Sequence, residues 1–292
     1  MEEISRSPIN NNELTDFITA KDYTVSGKSF TIKIDEQTGL LVTTPRPKEE
    51  DLGSYYESDE YISHTDGNSS LFEKIYNQVR SYSLKKKLAL VESKHAKGSL
   101  LDVGCGTGAF LQTCKNAGWK ISGVEPGDKA CLLAKTKVGD VIYPSLFDDA
   151  LNGQQYDVIT MWHVLEHMPD LHKTIERLKS LLKPDGVLIV AVPNYNSYDA
   201  LHYGAHWAAY DVPRHLYHFS QQSIKELFGA FKIELKETKP MIFDSFYVSL
   251  LSEQYKTGKK RWWSAFLIGL ESNIKAQQNG EYSSLIYILK QQ

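Results

Sequence analysis

The chain has 292 residues, 41% of them hydrophobic, and its 33 basic and 36 acidic side chains leave a net charge of -3. That suffices for one sizeable core with additions or two modest domains, and the near-neutral balance argues against a dedicated nucleic-acid binder, which is usually basic. Cys105, Cys114 and Cys131 are the only cysteines; an odd set within one short region reads as small buried side chains in a reducing compartment, not as a disulfide frame or zinc site. The stretch Met1-Glu-Glu-Ile-Ser-Arg lacks a signal-peptide pattern, and no apolar run reaches the roughly 20 residues that span a bilayer. A cytoplasmic protein is expected.

Residues 1–12 are polar and read as frayed. Three short alternating runs follow at Tyr23–Val25, Phe30–Ile34 and Leu40–Thr44, with turns at Ser26-Gly27 and Asp35–Gly39. They predict a small meander, too small to stand unless packed on something. Pro45-Arg46-Pro47 ends it, then come Leu52, Tyr55-Tyr56 and Tyr61, and a polar loop at 63–70. Apolar side chains at 71, 72, 75, 76, 79, 82, 88 and 91 predict a docking helix over 71–93, with Lys85-Lys86-Lys87 as its solvated face.

From residue 99 strands and helices alternate. Strands are expected at 99–104, 119–125, 138–143 and 156–161, with helices at 107–117 and 127–136 and one capped by Asp170. Pro184-Asp185-Gly186 turns the chain into a strand at 187–192. Near-continuous apolar strands between amphipathic helices imply a parallel sheet covered on both faces, with its ligand crevice at the strands' C-terminal ends. The pattern lapses over 194–219. It resumes with a helix capped by Ser220, a strand at 231–239, one or two helices over 246–275 and a last strand at 283–289.

The stretch Ser99–Leu111 organises this arrangement. A buried strand breaks at Gly104, Gly106 and Gly108 and restarts as a helix, which brings backbone N–H groups close to a nucleotide-like ligand. Two ligands compete for it. Gly104-x-Gly106-x-x-Ala109, with Glu125 roughly 20 residues on, satisfies the dinucleotide fingerprint. The same residues also read Asp102-x-Gly104-x-Gly106-x-Gly108, with Glu125-Pro126 closing the next strand.

The second version resembles motif I and the strand-2 acid of class I S-adenosylmethionine-dependent methyltransferases. Tyr156-Asp157-Val158 running into Trp162-His163-Val164-Leu165-Glu166-His167 resembles that family's strand-4 motif, and Leu181–Gly186 its strand-5 entry. The branch it is most similar to holds ubiquinone-pathway O-methyltransferases and antibiotic-sugar methyltransferases, where the Asp211-x-Pro-Arg-His215-Leu-x-His218-Phe219 block also recurs. The N-terminal part resembles a segment that in some relatives follows a cysteine-ligated zinc module; no cysteine precedes Cys105, so a metal-free hairpin is expected here.

The resemblance implies a seven-stranded, mostly parallel Rossmann-like sheet with helices on both faces. It implies a hairpin cap over 1–70 and a methyltransferase domain over 71–292, with its core at 99–240, an acceptor lid at 194–219 and a helical insert at 246–275. It implies transfer of a methyl group from S-adenosylmethionine to a small-molecule acceptor, with O-methylation favoured and S-adenosylhomocysteine as product. Gly104, Cys105, Gly106 and Gly108 would then approach the cofactor, Asp102 would orient the loop and the cofactor's ammonium, Glu125 and Pro126 would meet the ribose, Leu146 and Phe147 would sandwich the adenine, and His163 would line the site. A nicotinamide-dependent oxidoreductase, a noncatalytic binder and an RNA-directed module are the alternatives.

An oxygen or nitrogen acceptor must lose a proton, which suits a histidine base. Seven of the nine histidines fall between 163 and 218, and Glu166, His167 and His215 are the catalytic candidates. His163-x-x-Glu166-His167 also matches a metalloprotease spelling, but its place after a strand beside a glycine loop argues against a protease. In the related ubiquinone-pathway enzymes an E-x-x-E-H version is associated with a divalent metal; with His163 in the first position, no metal is assigned here. Tyr195, Tyr198, Tyr203, Trp207, Tyr210, Tyr217 and Phe219 suggest an aromatic acceptor pocket in the lid. Lys256–Trp263 reads as a solvated loop, with RNA or a membrane surface as the functional alternative.

Overall fold

The computed structural model describes residues 1–56 and 71–292, with the side chains of 71–77 outside the description; the expectations for Tyr61 and the 63–70 loop therefore lie outside it. Eleven strands are described: β1 Thr15–Lys21, β2 Ser29–Asp35, β3 Leu40–Thr44, β4 Ser99–Val103, β5 Lys120–Val124, β6 Ile142–Tyr143, β7 Tyr156–Trp162, β8 Leu182–Pro193, β9 Tyr217–His218, β10 Ile233–Pro240 and β11 Ser284–Gln291. The α-helices are α1 Leu71–Lys94, α2 Ala109–Asn116, α3 Asp128–Val138, α4 Leu171–Leu181, α5 Tyr198–Tyr203, α6 Gln221–Gly229, α7 Asp244–Thr257 and α8 Trp262–Asn279.

A seven-stranded, mostly parallel sheet runs in the order β10-β11-β8-β7-β4-β5-β6. β4 pairs in parallel with β5 on one side and β7 on the other. The chain order reverses there, which is where ligands bind in open α/β sheets. Leu100, Leu101, Val158, Ile159 and Val187–Val192 are buried throughout, as expected of strands covered on both faces. β8 begins at Leu182, so the expected turn at Pro184–Gly186 lies inside the strand. A Cβ at Gly186 would come within 2.8 Å of Leu182 and 2.9 Å of the Lys183 carbonyl, so the missing side chain lets the extended chain pass through. β6 is only two residues long because α3 continues to Val138 and Gly139 turns the chain at φ 94°.

The chain forms two compact units. One comprises Ser63–Val164, His172–Val190 and Ile288–Gln292; the other comprises Met1–Ile62, Leu165–Leu171 and Ala191–Tyr287. In the first, the Asp157 carboxylate accepts from the Ser99 backbone N–H at 2.7 Å and from Lys183 Nζ at 2.9 Å. The two sequence blocks at 156–158 and 181–186 are thereby tied to the start of β4.

The second unit is built on a four-stranded sheet, β1-β2-β3-β9. The N-terminal meander differs from expectation in two ways. Residues 23–25 are a turn, because the Asp22 carboxylate accepts from the backbone N–H groups of Thr24, Val25 and Ser26 at 2.9, 3.0 and 2.7 Å, an arrangement that outcompetes strand pairing; the strand lies earlier, at β1. Residues 1–12 are also pinned down. Glu2 and Arg46 exchange backbone hydrogen bonds of 2.7 and 2.9 Å, the Ile4 N–H donates to Thr44 Oγ1, and Ser7 is buried.

Most of the 194–219 aromatics, expected around an acceptor pocket in a lid, are buried. Tyr195, Tyr203, Trp207, Tyr210 and Val212 form one core with Phe30, Ile32 and Leu41 of the meander, because burying these large rings supplies the apolar area that a small sheet lacks. The fully buried Asp199 carboxylate is satisfied by Trp207 Nε1 at 2.8 Å and by the Ser272 and Ser283 hydroxyls at 2.7 Å each.

Candidate active site

In the first unit, β4 delivers the chain into Gly104, Gly106 and Gly108, all at positive φ (71°, 53° and 75°). The outer two serve packing. A Cβ at Gly104 would lie 2.4 Å from Val164 Cγ2, and one at Gly108 would lie 3.1 Å from the backbone of Ala134. Gly106 differs, since nothing lies within 4 Å of where its Cβ would stand. Its left-handed backbone and open face together make the cradle that a close-approaching ligand needs.

Glu125, just beyond β5, holds this loop. Its Oε2 accepts from the Gly106 N–H at 2.8 Å and its Oε1 from the Gly127 N–H at 2.9 Å. Burial pushes the carboxyl upward while the two backbone bonds oppose that shift. Pro126 is exposed between these partners. Cys105 contributes backbone rather than thiol: its N–H donates to the Val124 carbonyl, its side chain is buried, and burial raises the thiol well above its ordinary range.

Asp102 is buried in β4, and burial raises its carboxyl to about 7, with Thr160 and Lys87 opposing and Glu125 adding. Thr160 donates to it at 2.6 Å. Two neighbouring groups escape sequence reasoning. Lys87 does not belong to a solvated face: its ammonium sits 4.4 Å from the Trp162 ring centre, and its charge acts on Asp102. Phe110 packs edge-on against the same Trp162 ring at 5.6 Å. No local pattern marks these long-range pairings.

The expected adenine sandwich splits. Leu146 is buried, with its carbonyl accepting from Arg177 Nε at 3.0 Å, whereas Phe147 is half-exposed. Leu146 therefore fills core, and Phe147 alone is open to a ring. His163 follows β7 at φ 58°, a strained backbone for a residue with a side chain and one that collects at functional sites.

In the second unit, Glu166, His167 and His215 offer ligand atoms within 4.8 Å of one another. The rings of His167 and His215 stand edge to face at 4.6 Å. His167 Nδ1 lies 3.0 Å from the Arg214 carbonyl, which can only accept, so the proton is assigned to Nδ1 and is shared with the Tyr56 oxygen at 2.9 Å. Nε2 is then the basic nitrogen. Burial, followed by the neighbouring His215, pushes His167 down to about 4, against the pull of Glu166 and Asp211; the ring is neutral at pH 7.

The meander fixes the other histidines. β3 pairs with β9 at Leu41–His218 and Val42–Tyr217. Thr43 Oγ1 donates to the His215 carbonyl at 2.7 Å and accepts from His218 Nε2 at 3.1 Å. His215 Nδ1 donates to the Ala209 carbonyl at 2.8 Å, and Arg214 is clamped to Asp211. Tyr56 and Thr43, far away in sequence, thus contact the histidine segment, which the motifs do not reveal.

The metal set suggested by the H-x-x-E-H spelling does not form as written. His215 joins Glu166 and His167 in place of His163. One carboxylate and two imidazoles do suit a divalent cation.

Residues 76–236 match the family of methyltransferase domains. The chain is 34% identical over 124 residues to the ubiquinone biosynthesis O-methyltransferase of Nitrosospira multiformis, covering 39% of this chain and 52% of that protein. It is 26% identical over 201 residues to the enzyme of that name from Rickettsia typhi, covering 63% and 81%. The chain spans little more than half the length of the first of these relatives. Among solved structures, magnesium protoporphyrin IX methyltransferase from Synechocystis with bound SAH superposes with a TM-score of 0.53 at 16% identity, over 84% of this chain and all of that one. The glycine loop, the strand order and the matched span agree: this chain belongs to the methyltransferase-domain family.

Proposed function

We propose that the protein binds S-adenosylmethionine at the Gly104–Gly108 loop and transfers its methyl group to an oxygen of a small-molecule acceptor in the cytoplasm, releasing S-adenosylhomocysteine. The observation that carries this reading is Gly106, open above a left-handed backbone and held by Glu125. The O-methyltransferase names of the relatives support the choice of oxygen. When bound, S-adenosylmethionine supplies a methyl group already activated on a sulfonium.

The residues of the chain then bind, orient and move a proton. Each Glu125 oxygen keeps a second acceptor position beyond its backbone partner, enough to receive a ribose hydroxyl without releasing the loop. Asp102 supplies a negative charge for the cofactor's ammonium, and Phe147 an exposed ring for the adenine. His163 lines the cofactor, and Pro126 shapes the strand end beside it. His167, with its proton assigned to Nδ1, takes the acceptor's proton on Nε2; Glu166 and His215 set its charge state and orientation.

Asp102 couples binding to stability. A carboxyl whose folded value is raised above its unfolded value of roughly 3.9 destabilises the fold in its charged form. The cost is absent below about pH 4 and complete above about 7. Asp102→Asn, which can still accept from Thr160, is therefore expected to stabilise the ligand-free protein at pH 8 by roughly 2 to 4 kcal/mol. The same change should weaken S-adenosylhomocysteine binding; urea denaturation and calorimetry check the two arms.

His167→Ala is expected to lower kcat by about 10²- to 10⁴-fold with S-adenosylmethionine affinity nearly unchanged. Unchanged turnover would remove it as the base. The donor set at Glu166, His167 and His215 favours a second reading, in which these residues would hold a divalent cation, whose Lewis acidity would favour loss of the acceptor's proton. Titration of the chelator-treated protein with zinc or manganese separates the two. One bound equivalent, lost in His215→Ala, supports the cation; no binding, with turnover untouched by chelator, leaves the histidine base.

A further inference from the structure

Helices α7 and α8 invert the usual rule that large apolar side chains face inward. Ala265, Gly269, Ser272 and Ala276 are the buried residues of α8, and Ser245, Ser249 and Ser252 are buried on α7. At Gly269 a Cβ would stand 3.0 Å from the Phe246 backbone, so the two helices pack closely through small residues. The large side chains of α8 point outward: Trp263 is 82% exposed, Leu267 60%, Ile274 51%, Phe266 49% and Leu270 39%. They recur at i, i+3 or i+4, i+7 and i+11, a single apolar stripe along the helix.

Charge flanks the stripe. Between Gln254 and Leu270 the sequence carries Lys256, Lys259, Lys260 and Arg261 and no acidic residue, in a chain whose net charge is -3. Lys256, Lys259, Lys260 and Arg261 are all exposed. A stripe of aromatic and aliphatic side chains next to a local basic cluster is the composition of a helix that lies in an anionic membrane interface. No helix among the described residues is long and apolar enough to cross a membrane.

We propose that α8, with the Lys256–Arg261 cluster at its N-terminal end, docks this protein on the surface of an anionic lipid bilayer. Trp263, Phe266, Leu267, Leu270 and Ile274 enter the boundary between headgroups and acyl chains, while the cluster pairs with lipid phosphates. RNA would explain the basic and aromatic residues but not Leu267, Leu270 and Ile274, which offer bases nothing to stack on. A second copy of the chain would cover the apolar stripe but gives no reason for a basic cluster beside it.

The test is sedimentation of the full chain with vesicles of phosphatidylcholine alone and of phosphatidylcholine mixed with phosphatidylglycerol, at low and high salt. Binding is expected only with the mixed vesicles and should weaken with salt. Trp263→Ser, Leu267→Ser and Ile274→Ser combined, and separately Lys259→Glu, Lys260→Glu and Arg261→Glu combined, should each reduce it by at least roughly tenfold. All six positions are on the surface, and thermal unfolding verifies that both variants stay folded. Failure to sediment with mixed vesicles overturns the proposal, as does sedimentation that neither variant reduces. So does a dimer in solution that the apolar variant dissociates, or retention on RNA resin that both variants abolish, when vesicle binding is missing.

Discussion

The Glu125 carboxylate is the constraint on which the glycine loop depends. Gly104 donates to the Val124 carbonyl and Gly108 to the Cys105 carbonyl, while the Gly106 N–H depends on a side chain, and an unmade backbone hydrogen bond costs about 1 to 3 kcal/mol where it is buried. Glu125 accepts from Gly106 on one loop and from Gly127 on the next, so a single side chain sets the spacing of two strand ends. Gly104 then admits Val164 from the end of β7. Three neighbouring strand ends are thereby fixed by one acid and one missing side chain, and Gly106 is left as the open position.

The cost of that arrangement is visible at Asp102. A buried carboxyl raised to about 7 is poor for stability, and Thr160 and Lys87 only moderate it. Strain and charge accumulate here, with His163 held at φ 58° one residue before Val164. Such features persist in a folded chain where a ligand repays them.

The other unit solves a different problem. Its short strands could not hold together by themselves, and the rings of residues 195–212 supply the core that joins them. The sheet formed in this way presents Thr43 to both His215 and His218. The placement of the histidines therefore depends on a meander far away in sequence. The same dependence separates what the sequence makes legible from what it does not. The parallel sheet, the glycine loop and Glu125 follow from local periodicity and spacing, which short-range physics writes into the sequence. Lys87 beside Trp162, Tyr56 beside His167 and the burial of the 194–219 aromatics follow from tertiary packing, which no local pattern records. The displaced first strand was legible in principle, since Asp22 followed by Thr24 and Ser26 is a turn-forming arrangement. Hydrophobic alternation at Tyr23–Val25 concealed it.

Calorimetric titration of the unmodified protein with S-adenosylhomocysteine and, in parallel, with NAD decides what this loop binds. Both ligands suit a glycine loop followed by an acidic strand end, so the pair of titrations discriminates between them at this loop. Binding of S-adenosylhomocysteine in the micromolar range, with none for NAD, is the predicted result. Binding of NAD alone, or of neither ligand, would contradict it.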